Sequence, residues 1–170
     1  TKLVLSTGSN PKMWEMIAGL GHCIIEPVPS LFTFNITDKR IKELPGVSTW
    51  ATVKVKNTKL EATGPLLVTH WGMSGPAILK LSAWGARELA ACNWQFAVLV
   101  NWVPHYNENT LREKMQQLRF EIATQKIVNR NPFSLPNRFW EYLLQQSGIK
   151  EDIRWADLPA PAQNKLIKNL

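Results

Sequence analysis

The stretch from Thr49 to Val68 reads Thr-Trp-Ala-Thr-Val-Lys-Val-Lys-Asn-Thr-Lys-Leu-Glu-Ala-Thr-Gly-Pro-Leu-Leu-Val. It is rich in β-branched residues and alternates in part between apolar and polar residues, a pattern typical of β-strands. Val53 and Val55 alternate with lysines, so one face should be buried and the other exposed to water. We therefore predict strands over residues 49–56 and 60–68.

Shorter elements surround these two strands. Further strands are predicted over residues 2–6, 22–26, 31–35 and 94–103. Helices are predicted over residues 11–20 and 77–89, with a short helical turn over 37–44. Pro11 suits the first turn of its helix, because its missing N–H is not needed there, and Ser9 or Asn10 can cap it.

The pattern becomes helical after Pro104. One apolar helix stripe is formed by Leu111, Met115, Leu118 and Ile122. Asn107 or Thr110 can cap this helix, and Thr110 and Glu113 have capping-box spacing. A second helix starts at Pro136 and ends at Gly148, and its apolar face consists of Phe139, Trp140, Leu143 and Leu144. A third helix is predicted from Pro161 to the end. The fold class is therefore α+β, with a β-barrel-like sheet followed by a small helical bundle.

Composition excludes several classes of protein. The chain has 170 residues, of which 45% are hydrophobic and 19% charged, which excludes disorder and coiled coil. No apolar run approaches the roughly 18 to 20 residues that a membrane crossing needs, so we expect no membrane partner. The net charge of +7 suits nucleic acid, but the cations are spread along the chain and interrupted by acidic residues. We therefore do not expect a nucleic-acid partner.

Cysteine and histidine usage bears on compartment and metals. Cys23 and Cys92 lie far apart in apolar settings, which predicts two buried thiols and a cytoplasmic location. The spacing of His22, His70 and His105 does not match a metal site, so none is expected. The eight tryptophans are interpreted mainly as core residues.

Two short segments are candidates for chemistry. The turn Thr7-Gly8-Ser9 lies between a predicted strand and a helix, where backbone N–H groups can face an anion or a cofactor, although such turns are also common structural features. The segment Thr69-His70-Trp71-Gly72-Met73-Ser74-Gly75-Pro76-Ala77 combines an imidazole, a large aromatic ring and a helix start. It is either a ligand-facing turn or a structural bend with His70 as a satisfied core group.

This second segment, extended to Leu67 and Leu79, resembles one family. The resemblance also includes three shorter runs before this segment, Gly21-His22, Pro29-Ser30-Leu31-Phe32 and Gly46-Val47-Ser48, and two runs after it, Leu135-Pro136 and Gly148-Ile149. The chain is similar to the insert region of the BaiN-like (aminoacetone oxidase-like) NAD(P)/FAD-dependent oxidoreductases. In these flavoproteins a barrel-like insert and a small helical bundle interrupt a discontinuous Rossmann-like FAD domain. The chain also lacks an initiator Met and a signal-type region, and we interpret it as a piece of a longer protein.

The resemblance implies four units. Residues 1–21 would be the edge of the FAD-binding domain, 22–104 the barrel-like insert, 105–160 the helical subdomain and 161–170 a helix returning to the FAD domain. The remainder of that domain would be the partner of this chain.

The implied function is that of an insert or cap that shields the flavin and shapes the substrate pocket of an oxidoreductase. The parent protein would bind FAD, with NAD(P) as a further cofactor, whereas the isolated chain would hold no flavin and be inactive. His70 is the candidate catalytic residue, and Thr7, Gly8, Ser9, Ser74 and Gly75 are the candidate cofactor contacts. The small-molecule substrate is not identified. The alternative is a non-enzymatic basic β-barrel module that binds RNA or a protein partner.

Overall fold

The computed structural model describes residues 2–170, with the side chain of Lys42 excepted, so Thr1 at the start of the first predicted unit lies outside it. The fold is α+β, as predicted, and its strands form one antiparallel sheet. They are β1 (Phe34–Asn35), β2 (Ser48–Val55), β3 (Glu61–Val68), β4 (Gly72–Ser74) and β5 (Val98–Asn101). Their order across the sheet is β1-β4-β3-β2-β5.

The central pair of the sheet is the one that sequence alternation predicts. In β2 and β3 every second residue from Ala51 and Ala62 onward is buried, and the residues between them are more exposed. Thr52 lies opposite Thr63, and their hydroxyl oxygens are 2.6 Å apart on the exposed face. The buried face receives a helix and the rest of the core.

The sheet is curled into a half-barrel. Its edge strands are β1 and β5, and aromatic side chains bring them together. The rings of Phe34 and Phe96 lie 4.9 Å apart, and those of Phe32 and Trp94 lie 5.3 Å apart. The two edge strands thus contact each other through side chains. In a closed barrel they would instead be joined by backbone hydrogen bonds.

Six α-helices accompany the sheet: α1 (Pro11–Gly19), α2 (Pro76–Trp84), α3 (Ala86–Ala91), α4 (Glu108–Glu121), α5 (Asn137–Gln146) and α6 (Ala160–Asn169) among the described residues. A 3₁₀ turn spans Lys39–Glu43. Helix α2 packs on β3, whereas α6 packs against α4 and α5. The predicted helices after residue 104 are confirmed.

Helices α4, α5 and α6, called here the helical cluster, share one hydrophobic core with the sheet. Phe139 of α5 lies 4.6 Å from Trp102, the residue that follows β5. The Trp102 N–H also donates to the carbonyl of Leu170, at 2.8 Å. Arg138 of α5 donates to the carbonyls of Glu43 and Pro45. These contacts fix α5 and α6 beside the open side of the sheet.

Several predicted elements differ in the structure. Residues 2–6 and 22–26 are not strands, because in the described chain no neighbouring strand pairs with them. The predicted helix over 77–89 is two helices that meet at Gly85, which is buried against Leu60. The strand predicted over 94–103 is shortened to Val98–Asn101, since Asn93 and Trp94 take positive φ angles of 50° and 60°.

Several burial predictions were also wrong. Both Cys23 and Cys92 are exposed thiols, since their apolar neighbours in sequence do not enclose them. Only three tryptophans are buried among the described residues, namely Trp102, Trp140 and Trp155.

The helices also differ from the prediction in one cap. The α4 capping box uses Asn107 and Thr110, one turn earlier than the predicted pair Thr110 and Glu113. Within residues 2–170, every helix is too short or too polar to cross a membrane.

Candidate functional site

The turn between β3 and β4 carries the candidate catalytic residue. The Thr69 N–H donates to the Gly72 carbonyl at 2.8 Å, and the Gly72 N–H donates to the Thr69 hydroxyl at 3.1 Å. His70 and Trp71 form the tip of this turn, and both are exposed, with Trp71 at 60%. His70 is therefore not a buried core histidine.

The backbone of this turn is held firmly. The Ile36 N–H donates to the Trp71 carbonyl at 2.9 Å. Gly72 lies so close to β1 that a Cβ there would overlap the carbonyl oxygen of Phe34. Gly75 has a φ of +97°, and a Cβ on it would lie 2.8 Å from the Pro65 carbonyl oxygen. The two exposed side chains thus project from a fixed backbone.

Ser74 and Gly75 lie at the other end of β4, where α2 begins. Ser74 pairs with Leu67 of β3 and is half-buried, and Gly75 occupies the N-cap position without a side-chain cap. The first turn of α2 sits on β3, since a Cβ at Gly64 would lie 3.7 Å from the Ala77 nitrogen. The helix start therefore faces β3, and β4 separates it from the His70 tip.

The third candidate group, Thr7, Gly8 and Ser9, lies in an exposed loop before α1. Gly8 has a φ of +60°, and a Cβ added to it would meet no atom within 4 Å. Helix α1 buries none of its residues. A flavin needs a Gly-rich turn enclosed against a docked helix. The Thr7–Ser9 loop does not have this enclosure, and the structure does not join the loop to the His70 turn.

A cleft of about 710 Å³, which the sequence did not predict, lies on the open side of the sheet, where the edge strands β1 and β5 approach each other. It lies between β1, the segment before β5, and helices α5 and α6. Ile36 lines this cleft, and its N–H donates to the Trp71 carbonyl, so one hydrogen bond connects a lining residue with the His70 turn, whose residues 69–72 do not themselves line the cleft. Polar and aromatic lining residues include Arg40, Trp94, Tyr142, Lys165 and Lys168. They come from distant parts of the chain, so no local sequence signal unites them.

Among the described residues, cations outnumber anions in the lining of the cleft, which contains Arg40, Lys165 and Lys168 but only one carboxylate, that of Asp38. Arg40 forms an ion pair with Asp38, with the Arg40 Nη2 atom 2.6 Å from Oδ2, and its hydrogen bonds lower the pKa of that carboxyl. Burial, and then the charge of Glu43, raises the pKa of Tyr142. Lys165 and Lys168 are exposed and form no ion pair in the part of the chain that the structure describes. The cleft can accordingly hold an anionic ligand that also presents a flat ring.

A metal has no evident place in this arrangement. Across residues 2–170, His, Cys, Asp and Glu side chains do not gather in groups of three that could hold an ion. The chemistry that the site offers is therefore that of an exposed imidazole, an exposed indole and a polar cleft.

Comparison with a curated protein gives a partial match. The chain is 27% identical, over 150 residues, to the ribosomal RNA dihydrouridine synthase of Haemophilus influenzae. The match covers 86% of this chain and 34% of that protein, so the chain spans about a third of the length of the curated relative.

A family model covers more of the sequence. Residues 28–170 match the HI0933-like protein barrel and H2TH domain. This range contains the whole five-stranded sheet, the His70 turn and the helical cluster. The match agrees with the barrel-and-helix architecture and with the resemblance in the Thr69–Ala77 segment. The chain belongs to the HI0933-like flavoprotein family, also called BaiN-like, of which it carries the barrel and H2TH domain.

Proposed function

We propose that this chain is the substrate-side cap of a flavin-dependent oxidoreductase. In this proposal it covers the flavin, shapes the substrate pocket and packs on the remainder of the FAD-binding domain. The parent protein is proposed to hold FAD, with NAD(P) as a further cofactor, and to act in the cytoplasm. Family membership supports the flavin, and the poor fit of residues 7–9 to FAD supports a flavin site built mainly outside this chain.

The N-terminal segment supports packing on a further part of the protein. Its large apolar side chains are exposed, with Leu3 at 82%, Val4 at 86%, Leu20 at 71% and Ile25 at 73%. Such a high proportion of exposed large apolar side chains in one segment favours an interface, since exposing them to water is unfavourable. The proposed cover is the rest of the FAD-binding domain.

The observation that carries the proposal is the exposed His70–Trp71 pair on a turn whose backbone is held by hydrogen bonds within the turn and from Ile36, a residue that lines the cleft. Exposing an indole does not stabilise the fold, so its position favours contact with something else. An imidazole side chain can both donate and accept a proton. We assign His70 the role of proton transfer to the substrate, and Trp71 the role of packing against it.

The substrate class we propose is RNA, and specifically a uracil ring within it. The name of the curated relative favours this choice over the unidentified small molecule, and the lysines of the cleft suit a phosphate backbone. The choice of RNA as substrate departs from the expectation, based on the sequence, that the chain has no nucleic-acid partner. Reduction of a uracil ring to dihydrouridine adds one hydride and one proton. The hydride comes from outside these residues, and His70 donates the proton.

The experiment uses the full-length flavoprotein that contains these residues. Ribosomal RNA from cells that lack its gene is incubated with the purified protein and reduced nicotinamide, and dihydrouridine is measured by nucleoside mass spectrometry. His70→Gln should lower the initial rate by about 100-fold, the typical contribution of a positioned acid or base. Flavin content and melting temperature should stay at wild-type values.

The matched control is His105→Gln, because His105 is also an exposed loop histidine. It should leave the rate unchanged. Absence of dihydrouridine formation by the wild-type protein would reject RNA as the substrate. A folded, flavin-loaded His70→Gln protein with the wild-type rate would reject the proton-transfer role alone.

A further inference from the structure

Two cations face each other on the surface of the helical cluster. Lys126 and Arg154 form an isolated antiparallel bridge between the segment after α4 and the segment before α6. The Ile127 N–H donates to the Ile153 carbonyl at 3.0 Å, and the Trp155 N–H donates to the Gln125 carbonyl at 3.1 Å. Because these bonds flank the pair, it is of the non-hydrogen-bonded type, in which opposed Cα atoms lie only about 4.5 Å apart.

The bridge is rigid and its register is fixed. Ile127 and Trp155, which follow the two cations in the chain, are fully buried. Trp140 of α5 donates its indole N–H to the Ile127 carbonyl at 3.0 Å. Since side chains alternate across a strand, burial of these neighbours directs Lys126 and Arg154 to the same solvent face. Both are exposed.

This arrangement is unfavourable for the folded protein alone. Like charges that lie directly opposite each other across strands are destabilising. Within the described chain neither Lys126 nor Arg154 takes part in an ion pair, although Glu151, Asp152 and Asp157 are near in sequence. A third cation, Arg130, ends the turn that begins at Ile127. Its backbone N–H donates to the Ile127 carbonyl at 3.3 Å, and the residue is exposed. A bound anion would relieve the repulsion.

We propose that Lys126 and Arg154 form an anchor for the phosphate backbone of RNA, separate from the His70 turn. Arg154 can bind two phosphate oxygens with its planar guanidinium, and Lys126 adds a point charge to the same group. The anchor reads no base and fixes the position of the RNA on the protein. This inference rests on the proposed RNA substrate, which selects a phosphodiester over other anions.

The test measures binding of a labelled ribosomal RNA fragment to the full-length protein over a range of salt concentrations. The variants are Lys126→Gln, Arg154→Gln and the double variant. Each lost phosphate contact should reduce the salt slope by about one and weaken binding about fivefold to tenfold near 0.1 M salt. The control is the double variant Lys54→Gln, Lys56→Gln, which removes the same charge from the exposed part of β2 and the residue after it.

The melting temperature gives a second readout. Removing one of two opposed cations should leave it unchanged or raise it, because the repulsion is removed. A clear decrease in melting temperature would indicate a structural role and overturn the proposal. So would equal weakening by the control variant, which would indicate nonspecific attraction by net charge.

The two proposals fail in different ways. Wild-type binding and salt slope in a variant lacking both bridge cations, with dihydrouridine formation intact, would overturn the anchor and leave the proposed function. A wild-type protein that neither binds the RNA fragment nor forms dihydrouridine would overturn both.

Discussion

The rings of Phe34 and Phe96 meet edge to face, with centroids 4.9 Å apart and planes at 74°. Phe34 belongs to β1, one edge of the sheet, and Phe96 precedes β5, the other edge. Aromatic pairs in this geometry contribute about 0.5–1.5 kcal/mol beyond the area that they bury. The contact holds the curl of the sheet, and the curl in turn forms one wall of the cleft.

Phe34→Ala should therefore lower the free energy of unfolding by about 3–5 kcal/mol, the usual range for a buried phenylalanine. Phe34 is 3% exposed, so its loss leaves a cavity and also removes the edge contact. Urea denaturation measures the change. Leu99→Ala is the control, because Leu99 of β5 is 58% exposed and should shift stability by no more than about 0.5 kcal/mol. Equal stability of the Phe34 variant and wild type would contradict the role of this contact.

Gly72→Ala should be strongly destabilising, by more than about 3 kcal/mol, since the new methyl group overlaps the Phe34 carbonyl and must displace β1. The comparison is Gly19→Ala at the end of α1, where a Cβ would meet nothing within 4 Å. That change should be neutral or stabilising by up to about 1 kcal/mol, since alanine favours helix. Thermal melting of both variants tests the pair, and similar melting temperatures would show that β1 and β4 are not tightly apposed.

Trp71→Ala in the full-length protein should impair the reaction without impairing folding. Trp71 is 60% exposed, so truncating it removes little packing, and we expect the rate on RNA to fall about tenfold or more, as loss of a stacked base contact does. Trp84→Ala is the matched control, because Trp84 is 77% exposed on α2, where the Lys80 Nζ atom lies 4.7 Å from its ring centroid. If both variants reacted at the wild-type rate, Trp71 would have no part in substrate contact.

Asp38→Asn should change the pH dependence of stability. Hydrogen bonds from Arg40 lower the pKa of Asp38, so its carboxylate stabilises the folded state above the unfolded pKa near 3.9. That contribution is lost as the pH falls through the lowered folded pKa. The pair is partly exposed, so the difference at pH 7 should be no more than about 1 kcal/mol.

An asparagine at position 38 can still accept the hydrogen bond from the Arg40 backbone N–H. The substitution therefore removes the charge of Asp38 but keeps the cap of the 3₁₀ turn. Melting curves of wild type and Asp38→Asn should therefore differ near pH 7 and converge at acid pH. A difference that stayed constant down to acid pH would exclude the carboxylate as its source.

The 170-residue chain alone should bind no FAD. Its Thr7–Ser9 loop is open around Gly8, and α1 is not docked, so the enclosed phosphate site that FAD needs is incomplete. After incubation with FAD and desalting, the chain should show no flavin absorbance, whereas the full-length protein should retain its flavin. Stoichiometric flavin on the chain alone would contradict this expectation.

Local periodicity determined much of the fold. Alternation of Val53 and Val55 with lysines predicted β2, and the spacing of Leu111, Met115 and Leu118 predicted the buried face of α4. These predictions succeeded because a regular element repeats its buried side at a fixed interval, which the sequence displays directly. The Thr69–Ala77 segment likewise identified the family from the sequence alone, since its residues are consecutive.

Tertiary structure alone decided what depends on partners distant in sequence. Residues 2–6 have the composition of a strand, yet they are not one here, because a strand exists only where another strand pairs with it. The cleft and the opposed pair of Lys126 and Arg154 each join segments that lie far apart in the sequence, and the exposure of His70 is likewise set by packing. The sequence by itself therefore determined the elements and the family, whereas long-range packing decided which side chains meet and which ones face water.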